Sequence, residues 1–263
     1  MDALDFNHSI EKIAHDRFQI KNLKPFQHQV ISAFLNRKDV LLISSTGSGK
    51  SLCYQVPAMI LPGTLIVISP LVALMQDQVQ KLQKLRINAF FLQSNQTHLE
   101  QQEILNHLKE GHIKLLYISP EKLLQARFLQ FLKNQKISGF IIDEVHCMLQ
   151  WGHDFRPEYQ GLSCLKRRFP EIPIMAVTAT ASPKQQQQIL QDLGLNANTF
   201  YAKIGRNQLN YQVIPSQSSK VSLEKILKNH PQQNGIIYAA TRQRVMSTAQ
   251  YLSGIHPSVL HYH

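Results

Sequence analysis

Short apolar runs alternate with longer segments whose apolar positions recur at helical spacing. The runs at 40–43, 64–68, 89–92, 114–118, 139–142 and 174–177 predict strands. The segments from Lys50 to about 61, 71–85, from Thr97 to about 111, 121–132 and 183–193 predict helices. Apolar strands of this kind are buried on both faces, and their alternation with helices predicts an α/β fold: a parallel sheet with helices on both faces. Before the first strand, 3–20 reads as a helix, 23–27 as a break, and 27–36 as a second helix. Residues 194–220 are polar and turn-rich, with a boundary near Gly205. A new unit then reads as strand 210–214, helix 222–228, strand 235–239, helix 242–253 and a last strand at 257–262. The domains expected are therefore 1–204 and 205–263.

Ligands of parallel α/β sheets bind at the carboxyl ends of the strands. The first strand ends in Ser44-Ser45-Thr46-Gly47-Ser48-Gly49-Lys50-Ser51. This is a phosphate-binding loop: glycines let the backbone turn several N–H groups toward one anion, and the next helix adds its positive end. Thr46, Gly47, Ser48 and Gly49 form the cradle, Lys50 reaches the β- and γ-phosphates, and Ser51 holds Mg²⁺. Ser44 stands where the usual pattern has glycine. Asp143-Glu144 ends another apolar strand. Asp143 is expected to face Mg²⁺ through water, and Glu144 to orient the attacking water. Lys50, Asp143 and Glu144 are the catalytic candidates.

The composition adds a partner class. The formal charge of +11 in 263 residues suggests a polyanion. Cys53, Cys147 and Cys164 have no CxxC spacing, and the twelve histidines make no HExxH, so no zinc is expected and the thiols are read as reduced, in the cytoplasm. No apolar run approaches the about 20 residues of a membrane span, and the N-terminus lacks a signal-peptide layout.

Beyond the carboxylates runs Gln150-Trp151-Gly152-His153-Asp154-Phe155-Arg156-Pro157-Glu158-Tyr159. Trp151 and Phe155 offer faces for base stacking, worth about 1–3 kcal/mol per base, and Arg156 can pair with phosphate. The run resembles the aromatic-rich loop of the RecQ family of superfamily 2 DNA helicases. The resemblance also covers Thr46 to Gln55, Ser69 to Gln78, Ser94 to Gln102, Leu115 to Leu123, Val177 to Ala181 and Gly235 to Tyr238. Val145 departs from the family's DEAH tetrad.

The resemblance implies a RecA-like P-loop NTPase lobe followed by the start of a second RecA-like lobe. It implies an ATP- and Mg²⁺-dependent 3′→5′ DNA helicase acting on single-stranded and forked DNA in recombination and repair. Such a protein is expected to be a cytoplasmic monomer, nucleoid-associated if bacterial. Gln27 matches the family's adenine-reading glutamine. Lys24 stands where arginine is usual and Ile20 where an aromatic often packs, so a weaker adenine contact is expected. Ser69, Pro70, Ser94 and Ser119 resemble DNA-strand contacts, with plain helix capping as the alternative. His146, Gln150, Trp151, His153, Phe155, Arg156, Thr178 and Thr180 fall in segments that bind DNA or couple it to hydrolysis.

The family's motor closes ATP between two lobes, and the second lobe supplies an arginine finger. Residues 205–263 cover only the beginning of that lobe, ending within a Tyr-His segment. The expectation is a chain that binds ATP and single-stranded DNA with little unwinding. The alternatives are an inactive ATP- and DNA-binding fragment without turnover, or an RNA helicase.

Overall fold

A computed structural model describes residues 3–93, 95–149, 155–202, 209–215, 218–256 and 258–262. Ser94, Gln150, Trp151, His153, Gly205 and Pro257 lie outside the described residues. The chain divides into two compact units, Met1–Gly205 and Arg206–His263.

The first unit is built on seven parallel strands: β1 (Val40–Ile43), β2 (Thr64–Ile68), β3 (Ala89–Leu92), β4 (Leu115–Ile118), β5 (Ile137–Ile142), β6 (Ile174–Thr178) and β7 (Asn198–Tyr201). Their order across the sheet is β3-β4-β2-β5-β6-β1-β7, and every pairing is parallel. β1, β2, β4, β5 and β6 are buried along their whole length. Alternate residues of a strand serve opposite faces. Leu41 and Ile43 join one apolar core, with Ile66, Ile68, Phe140 and Ile142. Val40 and Leu42 join the other, with Leu65, Val67 and Val177. A smaller cluster ties α1 (Ala3–Phe18) through Ile10 and Ala14 to Ile31 of α2 (Pro25–Leu35) and Val56 of α3 (Leu52–Ile60).

The connections are α4 (Val72–Lys84) and α5 (His98–Lys109), then a pair, α6 (Pro120–Leu123) and α7 (Ala126–Leu132). Short helices α8 (Pro157–Gln160) and α9 (Cys164–Arg168) precede β6, and α10 (Pro183–Leu193) precedes β7. Thr97 and Ser182 cap α5 and α10, each in a reciprocal capping box with Glu100 and Gln185. The single helix expected at 121–132 is two. Gln125, in an extended conformation, breaks it, and the change of direction lets Leu123 and the Phe128, Leu129, Leu132 face enter the same core.

Two further expectations need correction. Residues 198–201, read as part of a polar connection, form β7, which pairs with β1 in register from Val40↔Asn198 to Ile43↔Tyr201. In the second unit the described residues hold α11 (Ser219–Asn229) and α12 (Arg242–Ser253), where Tyr251 OH donates to Glu224 and Lys220 Nζ lies 4.8 Å from the Tyr251 ring. No strand forms at 210–214, 235–239 or the described part of 257–262. A strand needs a ladder partner for its N–H and C=O groups. Without one, Ile236 and Tyr238 are exposed. Among the described residues, no helix is long and apolar enough to cross a membrane.

Candidate nucleotide site

β6 lies between β1 and β5, so the carboxyl ends of these three strands are neighbours. The phosphate loop leaves β1, Asp143-Glu144 leaves β5, and Thr178 ends β6. Ser44, the residue in place of the usual glycine, is fully buried. Its N–H donates to Thr178 O at 2.9 Å, which continues the β1–β6 ladder, and its hydroxyl bonds with the Ser48 hydroxyl. A side chain at this position thus braces the loop from within. Gly47 and Gly49 take φ of +76° and +91°, a region L side chains avoid. At Gly49 a Cβ would also come 2.5 Å from Gln27 Nε2.

Lys50 Nζ donates to Glu144 Oε1 at 3.2 Å, and both side chains are mostly buried (12% and 22% exposed). Glu144 has left-handed backbone angles, φ +48° and ψ +46°, a conformation that costs a non-glycine residue about 1–2 kcal/mol. The turn aims adjacent carboxylates in different directions. Glu144 Oε2 lies 3.3 Å from His146 Nδ1, and Glu144 N–H donates to Asp143 Oδ1 at 3.0 Å. His146, followed by Lys50, lowers the Glu144 pKa below the ordinary carboxylate value. Burial, followed by the charge of Glu144, pushes Asp143 up to about 6. The Cys147 sulfur, followed by Glu144, raises His146 to about 10.

A carboxylate raised by burial and a like charge is one that a divalent cation would stabilise. Ser51 directly precedes α3 behind the loop lysine, and Asp143 follows β5 at the same carboxyl end of the sheet. Asp143 and Ser51 therefore fit Mg²⁺ as hard oxygen groups beside a phosphate cradle.

The Gln27 amide is packed against the loop. Its Oε1 accepts from Lys24 N–H at 2.8 Å and its Nε2 donates to Gly49 O at 2.9 Å, while Lys24 Nζ donates to Ser48 O at 2.9 Å. An amide has two donors and two lone-pair sites, and these two bonds use one of each. Lys24 is exposed, and Thr46 is exposed on the loop.

The structure distributes the remaining candidates unevenly. Thr178 is fully buried, and its hydroxyl lies 2.9 Å from His146 Nδ1 and donates to Thr180 O at 3.2 Å. His146, Thr178 and Thr180 thus form one chain of contacts beside Glu144. Ser69 is buried at the end of β2. Ser119 is buried too, and its hydroxyl accepts from Lys122 N–H as the cap of α6. Pro70, Phe155 and Arg156 are half-buried. Arg156 N–H donates to Cys147 O at 2.8 Å. Tyr159, absent from the sequence candidates although it closes the aromatic run, is fully buried and donates its OH to Asp143 O at 2.9 Å. Its place in the run was visible in the sequence, but its partner was not.

A seven-stranded parallel sheet with a lysine-bearing phosphate loop and a carboxylate pair on nearby strands is a RecA-like NTPase lobe. Residues 24–189 match the DEAD/DEAH box helicase family, and the chain belongs to that family. It is 42% identical over 247 residues to the ATP-dependent DNA helicase RecQ of Haemophilus influenzae, covering 94% of this chain and 40% of that protein. It is 41% identical over 274 residues to the RecQ-like DNA helicase BLM of Xenopus laevis, covering 99% of this chain and 20% of that one. The chain therefore spans well under half the length of these curated relatives. Among solved structures it resembles the DUF1998 helicase MrfA bound to DNA, with a TM-score of 0.73 at 16% identity over 94% of this chain and 38% of that one. A hypothetical ATP-dependent RNA helicase of Sulfolobus tokodaii superposes with a TM-score of 0.59 at 19% identity, over 93% and 72% of the two chains. At these identities the likeness is one of fold.

Proposed function

We propose that this chain carries the ATP-hydrolysing lobe of a RecQ-type, ATP-dependent 3′→5′ DNA helicase, with single-stranded DNA as the ligand that stimulates turnover. The observation that carries the reading is the Lys50–Glu144 contact at 3.2 Å, between a phosphate loop and a carboxylate on separate strands. The similarity to RecQ helicases over 94% of the chain supports it.

In the proposed reaction the loop N–H groups and Lys50 bind the phosphates. Lys50 exchanges its contact with Glu144 for the γ-phosphate, which frees Glu144 to face solvent. Glu144, its pKa held below the ordinary carboxylate value by His146 and Lys50, accepts a hydrogen bond from the attacking water and takes its proton as the water oxygen bonds to the γ-phosphorus and the bond from that phosphorus to the β–γ bridging oxygen breaks, releasing ADP. Mg²⁺, held by Ser51 and through water by Asp143, would neutralise phosphate charge. His146 passes the state of Glu144 to Thr178 and Thr180. Arg156 and Tyr159 tie the aromatic run to Cys147 and Asp143, so a base stacked on that run would pull on the carboxylate turn. Gln27 contributes adenine contact and Lys24 supports the loop.

The test is ATP hydrolysis with and without single-stranded DNA, and with single-stranded RNA as competitor. DNA-stimulated turnover that is lost in a Trp151→Ala, Phe155→Ala variant supports the reading. Unstimulated nucleotide binding would reassign the chain as an ATP-binding module, and preferential stimulation by RNA would reassign its substrate.

A further inference from the structure

The last turn of α5 closes in a Schellman cap. His112 N–H donates to His107 O at 3.0 Å, Gly111 N–H donates to Leu108 O at 3.1 Å, and Gly111 has φ of +73°. Such a cap brings together the residue three positions before the helix end and the one just beyond the glycine, where an apolar pair commonly meets. Here both positions are histidine, and the cap residue between them is Glu110. His107 Nδ1 and His112 Nδ1 lie 3.9 and 3.1 Å from Glu110 Oε2. Ligand atoms of the three residues all fall within 4.8 Å of one another.

We propose that His107, Glu110 and His112 form a binding site for a divalent transition-metal ion of the zinc class, completed by solvent. Zinc binds imidazole nitrogen and carboxylate oxygen at about 2.0–2.2 Å, so donors on one tetrahedral ion stand roughly 3.3 Å apart. The two nitrogen–oxygen separations bracket that value. The site is held from outside. The His107 ring stacks on Phe90 of β3 with centroids 5.5 Å apart. Asn88 Nδ2 donates to His112 O at 3.0 Å, and Asn88 O accepts from Lys114 N–H at 2.9 Å. The negative end of the α5 dipole adds a field that favours a cation. Two imidazoles select against Mg²⁺, which prefers oxygen ligands.

This site is separate from the nucleotide site. The α5 cap leads into the amino end of β4, whereas the phosphate loop and the carboxylates occupy carboxyl ends of the same parallel sheet. The absence of a zinc motif in the sequence is a statement about spacing; the cap turn, not the spacing, brings these donors together.

The experiment is a calorimetric zinc titration of the reduced chain with Mg²⁺ in excess, so that hard oxygen sites are already occupied. The wild-type chain is expected to take up one equivalent more than the His107→Gln, His112→Gln variant. Glu110→Gln, which leaves the Phe90 stacking untouched, is expected to weaken uptake at that site at least tenfold. With Co²⁺ as probe, the wild-type chain should show visible absorption that the double variant lacks. Equal zinc stoichiometry and equal Co²⁺ spectra in wild type and double variant, or no zinc uptake by the wild type, would overturn the proposal.

Discussion

Lys50 Nζ sits 3.2 Å from Glu144 Oε1, across 94 residues of sequence. The pair is mostly buried and shared with His146. Lys50, the cation proposed to bind phosphate, is thus already partly desolvated and oriented, with its counter-charge supplied by the residue proposed to face the attacking water. Binding a γ-phosphate replaces one anionic partner of Lys50 with another, which limits the electrostatic cost of entry.

Removing that cation should be felt first in binding. A charge-assisted hydrogen bond is worth about 1.5–3 kcal/mol, so Lys50→Ala is expected to weaken Mg·ATP binding by about 10- to 100-fold. A titration with a fluorescent nucleotide analogue measures it. Affinity within twofold of wild type would show that Lys50 does not contact phosphate.

Glu144→Gln keeps the shape and leaves an amide oxygen that can still accept from Lys50, but it removes the negative charge that would take a proton. Nucleotide affinity should stay within about threefold, while single-turnover hydrolysis falls by about 10²–10⁴, the usual contribution of a positioned base. Unchanged hydrolysis would move the base elsewhere.

Asp143 gives a pH signature. Its pKa is raised from 3.8 to about 6 by burial, then by Glu144. The folded state therefore holds this proton more tightly than the unfolded state, and stability falls as pH rises from about 4 to 6. The cost is fully present above pH 6 and amounts to about 3 kcal/mol at one pKa unit per 1.36 kcal/mol. Asp143→Asn should raise Tm at pH 7.5 in the absence of Mg²⁺ and leave it unchanged near pH 4. Equal Tm values at pH 7.5 would mean that the carboxylate is not strained by its setting.

Tyr159 joins the aromatic run to the carboxylate turn through one hydrogen bond to Asp143 O. Tyr159→Phe keeps the ring and removes that bond, at about 1 kcal/mol in urea unfolding. The same variant should weaken the stimulation of ATP turnover by single-stranded DNA more than the unstimulated rate. A proportional loss of both rates would make the bond purely structural.

Most of the first unit was legible in the sequence because its strands are buried on both faces, which leaves uninterrupted apolar runs such as Leu41–Ile43 and Phe140–Ile142 between helical segments. β7 was not legible. It lies at the sheet edge, Asn198 and Tyr201 at its ends are exposed, and it is a strand because β1 offers it a ladder. The runs near Ile236 and Leu260 show the converse: apolar sequence with no strand formed. At the candidate site, local chemistry pointed to Lys50, Asp143 and Glu144, since the loop and the carboxylate pair are each contiguous in sequence, and the fold brings Lys50 to Glu144. The links from Gln27 to Gly49, His146 to Thr178 and Tyr159 to Asp143 join distant segments and had no local signature.

The sequence by itself determined the alternation of strand and helix, the phosphate loop and the carboxylate pair, because each is written in neighbouring residues. Only the tertiary structure decided that β6 lies between β1 and β5, that His146 meets Thr178 and that the Tyr159 hydroxyl reaches Asp143 O. Strand order and side-chain convergence depend on how separate segments share one buried sheet, a property that no short stretch of sequence carries.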